Sequence, residues 1–336
     1  MKAFLQLLRV ELRRYLRRRA VQLLMAACVA VPLVIGVVTI LDTEPPSDTE
    51  IALIEDEAKA NRQAELDYCT ENPADYGIGS TEDDVAAACE RLISDNFDDY
   101  TEYGYYDTLR LDDQQNDSGV AVASFLAILL LLAGTTFTGH DWNSGSVSNQ
   151  LLFEPRRARV WAAKALVVTG GALVAAAVIM SAYWAVLGLV AHSRDTLATG
   201  DLLDALQMGW RSAGVAAAAA LLGFVLTMLF RSTVATIGVL LGASVAGSLL
   251  LAAIGVSERW NPAVNLLALI DNGTTYYSED ACPTGPEVIE GDPDETYSYD
   301  SCELEVTFSD ASLYLGSFLL VGGVASFVSF RRRDVP

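Results

Sequence analysis

Charge-free apolar runs of about 20 residues recur along the chain, and a helix of that length crosses the ~30 Å hydrocarbon core of a bilayer. They lie at 21–41, 119–139, 165–191, 212–230, 232–254 and 311–330. A bilayer offers no water to backbone amides, so such segments must be helices packed together. The pattern predicts an all-α polytopic membrane protein with six transmembrane helices. Before the first run, residues 1–20 alternate differently. Phe4, Leu5, Leu8, Leu12, Tyr15 and Leu16 recur at helical spacing with arginines on the other face, as in an amphipathic helix lying in the membrane interface. The apolar run continues well past Cys28, so the first span is expected to be retained and not cleaved as a signal.

Between the spans the polar segments differ in kind. The stretch 42–118 reads as a small structured insert. Residues 80–84 (Ser-Thr-Glu-Asp-Asp) resemble a capped helix start, and 55–67 is a second helix-prone stretch. Its tail is rich in tyrosine and aspartate. Residues 192–211 read as a short external connection. In 255–310, the apolar stretch 262–270 is too short to span and begins at Pro262, which suits a re-entrant half-helix. Small residues recur inside the spans, with Gly238, Gly242 and Gly247 in the fifth, and these allow close helix packing.

Charge orients the chain. Arginine and lysine cluster before the first span, in the 140–164 loop, at Arg231 and in the 331–336 tail. Positive residues mark cytoplasmic connections, so both termini are expected inside. The net charge of −21 is concentrated in two segments: 42–118 holds 23 acidic and 4 basic residues, and 255–310 holds 13 and 1. Both fall on the external side. No basic groove with interleaved aromatics exists, which excludes nucleic acid as the expected partner. Cys69, Cys89, Cys282 and Cys302 also fall outside, in a compartment that permits disulfides. Cys69–Cys89 and Cys282–Cys302 are the favoured pairs, since each closes a short loop within one segment. Metal ligation is disfavoured, because neither loop has a histidine or a C-x-x-C.

None of the six apolar cores contains Asp, Glu, Lys, Arg or His. Ion-coupled transporters, proton pumps and voltage sensors need such groups at membrane depth. There is no Gly-x4-Gly-Lys-Ser/Thr loop for nucleotide phosphates, so the chain is expected neither to bind a cofactor nor to act as an enzyme.

The 140–164 loop carries the most information. Asp141-Trp142 stands at the membrane edge, Gly145-Ser146 starts a short helix bearing Leu151-Leu152, and Pro155 stops it. Arg156, Arg157, Arg159 and Lys164 follow. This run resembles the permeases of type-2 ATP-binding-cassette exporters, which place an acid, Gly-Ser/Thr, a Leu pair, Pro and basic residues after the second span. Asp141 stands where glutamate is more usual, and the 42–118 insert is longer than the family's first external loop. The resemblance implies a bacterial plasma-membrane permease that pairs with a second protomer, identical or homologous, among membrane lipids. It also implies two copies of a separate ATPase subunit that holds Mg-ATP and docks on Asp141–Arg159 and the N-terminal helix. The uncharged spans suit a lipidic or amphiphilic substrate. The alternatives are a secondary transporter or channel without an ATPase, and an envelope-anchored protein that binds through its acidic insert.

Overall fold

Apolar periodicity, capping residues and glycine punctuation set the elements of the computed structural model, which describes residues 2–78, 85–97, 108–253, 257–278 and 302–332. The chain divides into two compact units, Val38–Leu109 and the remainder.

In the larger unit, α1 (Lys2–Arg17) is followed after Arg18 by α2 (Arg19–Asp42). A single turn, α5 (Leu111–Gln114), passes through a π-helical turn into α6 (Val120–Asn143). The helix therefore begins eight residues before the predicted span. Asp112, Asp113 and Asp117 hid that start from hydropathy, yet Gln114 and Ser118 are buried and Ser118 Oγ donates to Gln114 Oε1 at 2.6 Å. Next come α7 (Ser146–Phe153), α8 (Arg157–Ser193) and α9 (Asp201–Phe230). The connection expected over 192–211 shrinks to 194–200. Gly200, at φ 108°, turns the chain, and Asp201 and Asp204 complement the positive N-terminal end of α9. After α9 come α10 (Thr233–Ala253) and α11 (Pro262–Asp271), the latter capped by Asn261.

Strands β1 (Gly273–Tyr277) and β2 (Glu303–Thr307) then pair antiparallel, Gly273 opposite Thr307 and Tyr277 opposite Glu303, ahead of α12 (Phe308–Arg332). The all-α reading missed this ladder. Its signal was the β-branched and aromatic run at Thr274–Tyr277 and the alternation at 303–307.

Five helices among the described residues are long and apolar enough to cross a membrane: Arg19–Asp42, Leu111–Asn143, Arg157–Ser193, Asp201–Phe230 and Phe308–Arg332. Thr233–Gly247 and Pro262–Asp271 are shorter apolar helices. Large apolar side chains such as Leu23, Val178, Leu189 and Leu320 face outward, as lipid contact requires. The chain is a helical, multi-pass membrane protein.

The core lies where α6, α8 and α9 interlock, with Leu126, Leu130, Phe137, Val168, Met180, Ala216, Ala220 and Phe224 fully buried. Helices α6 and α9 touch backbone to backbone. A Cβ at Gly134 would collide with the Ala220 carbonyl oxygen, and one at Gly223 with that of Leu131. The three glycines singled out from spacing are not part of this contact. A Cβ at Gly238, Gly242 or Gly247 would meet nothing within 4 Å. Small residues permit a close approach but do not require one within this chain.

The smaller unit contains α3 (Asp48–Glu71) and α4 (Val85–Phe97). Ser47 caps α3 in a reciprocal box with Glu50, so the helix starts earlier than the predicted 55–67. The expected helix start at 80–84 and the tyrosine-rich tail at 100–106 lie outside the described residues. Cys69 and Cys89 form a disulfide with Cα atoms 6.0 Å apart, packed among Ile78, Ala88 and Ile93. Tyr76 donates to Glu65, and this bond holds its phenol proton up to about 12. Cys302 is also disulfide-bonded, while Cys282, its expected partner, lies outside the described residues. With so small a core, the Cys69–Cys89 bridge is expected to contribute about 3 kcal/mol. Cys69→Ser with Cys89→Ser should make the unit rapidly cleaved under limited proteolysis, and unchanged resistance would refute this.

Candidate functional site

The 140–164 loop folds as a short helix between two bends. Helix α6 ends at Asn143, and Gly145 takes a left-handed conformation (φ 64°) that starts α7 in a new direction. At the other end Glu154 is extended ahead of Pro155, as the residue before proline prefers. Within α7, Val147 is buried and Leu151 half-buried, but Leu152 is 80% and Phe153 91% exposed. The predicted Leu151-Leu152 pair is thus divided between the two faces, and the outward apolar pair is Leu152-Phe153. Spacing alone did not mark Phe153, because it is the last residue of the helix.

Beneath this helix lies a closed charge cluster. Lys164 Nζ donates to Asp141 Oδ2 at 2.5 Å and to Glu11 Oε2 at 2.9 Å, and Arg18 pairs with the other Asp141 oxygen. Glu11, Asp141 and Lys164 are each at most 1% exposed. Two carboxylates thus face two cations, and a buried ionic set is tolerated only when paired and hydrogen-bonded in this way. Phe137 forms the floor, with the Arg18 guanidinium 4.7 Å and the Lys164 ammonium 5.2 Å from its ring centre. Tyr15 packs edge-on to Phe137 at 5.2 Å, and burial pushes its phenol well above the ordinary range. From the rim, Gln150 donates to Glu11 Oε1 at 2.5 Å and Arg14 to Ser146 Oγ at 3.2 Å.

Sequence reasoning found Asp141 and Ser146 but missed Glu11, Arg18 and Gln150, and it read Lys164 only as part of the basic run. The signal for Glu11 and Arg18 was present in α1 and the residue that follows it. Glu11 is the only acid there, and Glu11, Tyr15 and Arg18 share one face at i, i+4 and i+7. Arg18 therefore belongs to the buried face, not to the outer arginine face. Leu5, Leu12 and Leu16 remain exposed.

The other loop residues are distributed differently. Trp142 packs edge-on to Phe330 at 6.2 Å and carries the Arg231 guanidinium 4.8 Å above its ring. Arg157 donates to the Phe330 carbonyl at 3.3 Å, where cations favour a helix C-terminus. Arg159 lies 4.0 Å from Glu154, and Arg156 is exposed. Of the three predicted docking arginines, Arg157 is thus engaged inside the chain.

Among the described residues no group of His, Cys, Asp and Glu could hold a metal ion. The arrangement offers neither an activated nucleophile nor a free acid–base pair. It can present a rigid apolar tip and hold α1, α6, α7 and α8 in register. No protein-family model, no curated protein and no solved structure matches the chain.

Proposed function

We propose that this chain is the membrane-embedded permease subunit of an ATP-driven exporter of the type-2 ATP-binding-cassette class. In this reading it has six spans and both termini in the cytoplasm of a bacterial plasma membrane. One observation carries the proposal. Helix α7 leaves Leu152 and Phe153 almost wholly uncovered, and its Gln150 ties it to the Glu11 carboxylate, which is itself paired with Lys164. An adjacent pair of uncovered apolar side chains on an otherwise polar loop suits a protein contact. Two copies of a separate ATPase, which bind Mg-ATP, dock there. The open glycine face of α10, with Gly238, Gly242 and Gly247, is offered to the second protomer, and the uncharged spans pass an amphiphile. ATP binding supplies the differential affinity that shifts the permease between its two arrangements.

The test replaces the tip. Leu152→Asp with Phe153→Asp removes two apolar anchors worth roughly 2 kcal/mol each at a well-packed contact, so binding of the ATPase should fall by about 100-fold or more. The folded yield should be unchanged, because both side chains are exposed. An ATPase that still co-purifies in full amount would contradict the docking surface.

A further inference from the structure

Four helix ends meet at one edge of the larger unit. Trp142 stands near the end of α6, Arg157 at the start of α8, Arg231 just after α9, and Phe330-Arg331 near the end of α12. The Trp142 and Phe330 rings pack edge-on at 6.2 Å, and the Arg231 guanidinium lies 4.8 Å from the centre of the Trp142 ring. The Arg331 guanidinium lies 5.7 Å from the centre of the Phe327 ring. Stacking fixes where a guanidinium sits while its N–H edge can still meet a phosphate. Arg157 donates to the Phe330 and Arg331 carbonyls at 3.3 and 3.5 Å. The negative end of α12 is thereby offset where an anion would approach it.

Two further features give this edge a shape. Arg231 adopts φ 57°, the left-handed conformation in which helix ends ordinarily carry glycine. A long cationic side chain is kept there although it strains the backbone. Arg331 shares a helical face with Val324, Phe327 and Val328, at i−7, i−4 and i−3. Val324 and Val328 are uncovered, so an apolar strip leads from the guanidinium into the span.

We propose that this edge binds one anionic phospholipid, with its phosphate held by Arg231 and Arg331 and an acyl chain lying along Val328 and Val324. Cations at any membrane edge attract anionic lipid. This edge adds two guanidiniums positioned by rings and an apolar path for the chain. The site rests on the membrane fold alone and needs no ATPase at α7.

The test is native mass spectrometry of the purified protein in neutral detergent, titrated with phosphatidylglycerol or with phosphatidylcholine. One saturable phosphatidylglycerol per protomer is expected, bound at least about tenfold more tightly than phosphatidylcholine. Arg231→Gly with Arg331→Gln should weaken phosphatidylglycerol binding about 30-fold, the effect of losing two cations at the membrane surface. Glycine suits the left-handed turn, so the fold should persist. Arg331→Gln alone, at an exposed helix end, should weaken binding about fivefold. Arg13→Gln with Arg17→Gln removes the same charge from the exposed face of α1 and should change binding by less than about twofold. No preference for phosphatidylglycerol, or wild-type binding by the Arg231/Arg331 variant, would overturn the proposal. An equal loss in the α1 variant would overturn it too, because the attraction would then be diffuse. Displacement of the lipid by inorganic phosphate at the same concentration would overturn the acyl-chain contact and with it the lipid as occupant.

Discussion

Lys164→Met is expected to destabilise the protein by roughly 3–5 kcal/mol, the cost of leaving buried charges without their shared partner. Lys164 donates to both Glu11 and Asp141, and all three are shut off from solvent. Loss of the ammonium leaves Arg18 to neutralise Asp141 and strands Glu11, whose remaining cation, Arg14, stands 3.6 Å away at a partly exposed position. A second substitution separates lost packing from unpaired charge. Glu11→Met added to Lys164→Met removes the stranded carboxylate and leaves Asp141 with Arg18, so at least about half of the lost stability should return, as when a buried ion pair is replaced by apolar side chains. Thermal unfolding in detergent gives both numbers. If the single variant melts like wild type, or the double is worse than the single, the cluster does not hold these helices together.

The second large effect is expected at the α6–α9 contact. Any side chain at Gly134 must displace the Ala220 carbonyl, and any at Gly223 the Leu131 carbonyl. Backbone does not yield as a flexible side chain does. Gly134→Ala should therefore cost about 1–3 kcal/mol as overpacking, and Gly134→Leu should abolish the folded protomer. Gly238→Ala provides the contrast. Its site is open, so the protomer's stability should change by no more than about 0.5 kcal/mol. Expression and size-exclusion profiles of the three variants are the measurement, and a well-folded Gly134→Leu protein would refute the close approach.

These two sites show what was readable in the chain. The apolar spans were legible because a helix in lipid must be apolar over its whole length, and the start and stop of α7 because Gly145 and Pro155 have backbone requirements that no neighbour supplies. The starts of α5 and α9, which lie among acids, were not legible. Leu111–Ser118 and 201–211 continue apolar helices past the point where hydropathy changes sign, using Gly200 as a turn and a buried Gln114–Ser118 pair. Glu11 was obscure for a different reason. An acid in an arginine-rich helix reads as a local charge neutraliser, and its partner Lys164 is 153 residues away. The packing glycines Gly134 and Gly223 were not legible, because i, i+4 spacing is a property of one helix, whereas their contact belongs to two.

If a separate ATPase works on this chain through α7, the two should leave the membrane together. The most direct test is affinity purification of the tagged protein from native membranes in mild detergent, followed by mass spectrometry and an ATPase assay of the eluate. The expected result is a stoichiometric subunit carrying a phosphate-binding Gly-x4-Gly-Lys-Ser/Thr loop, with ATP turnover in the eluate. A homo-oligomer without any nucleotide-binding partner would contradict it and leave a channel or an envelope-anchored binding protein as the reading.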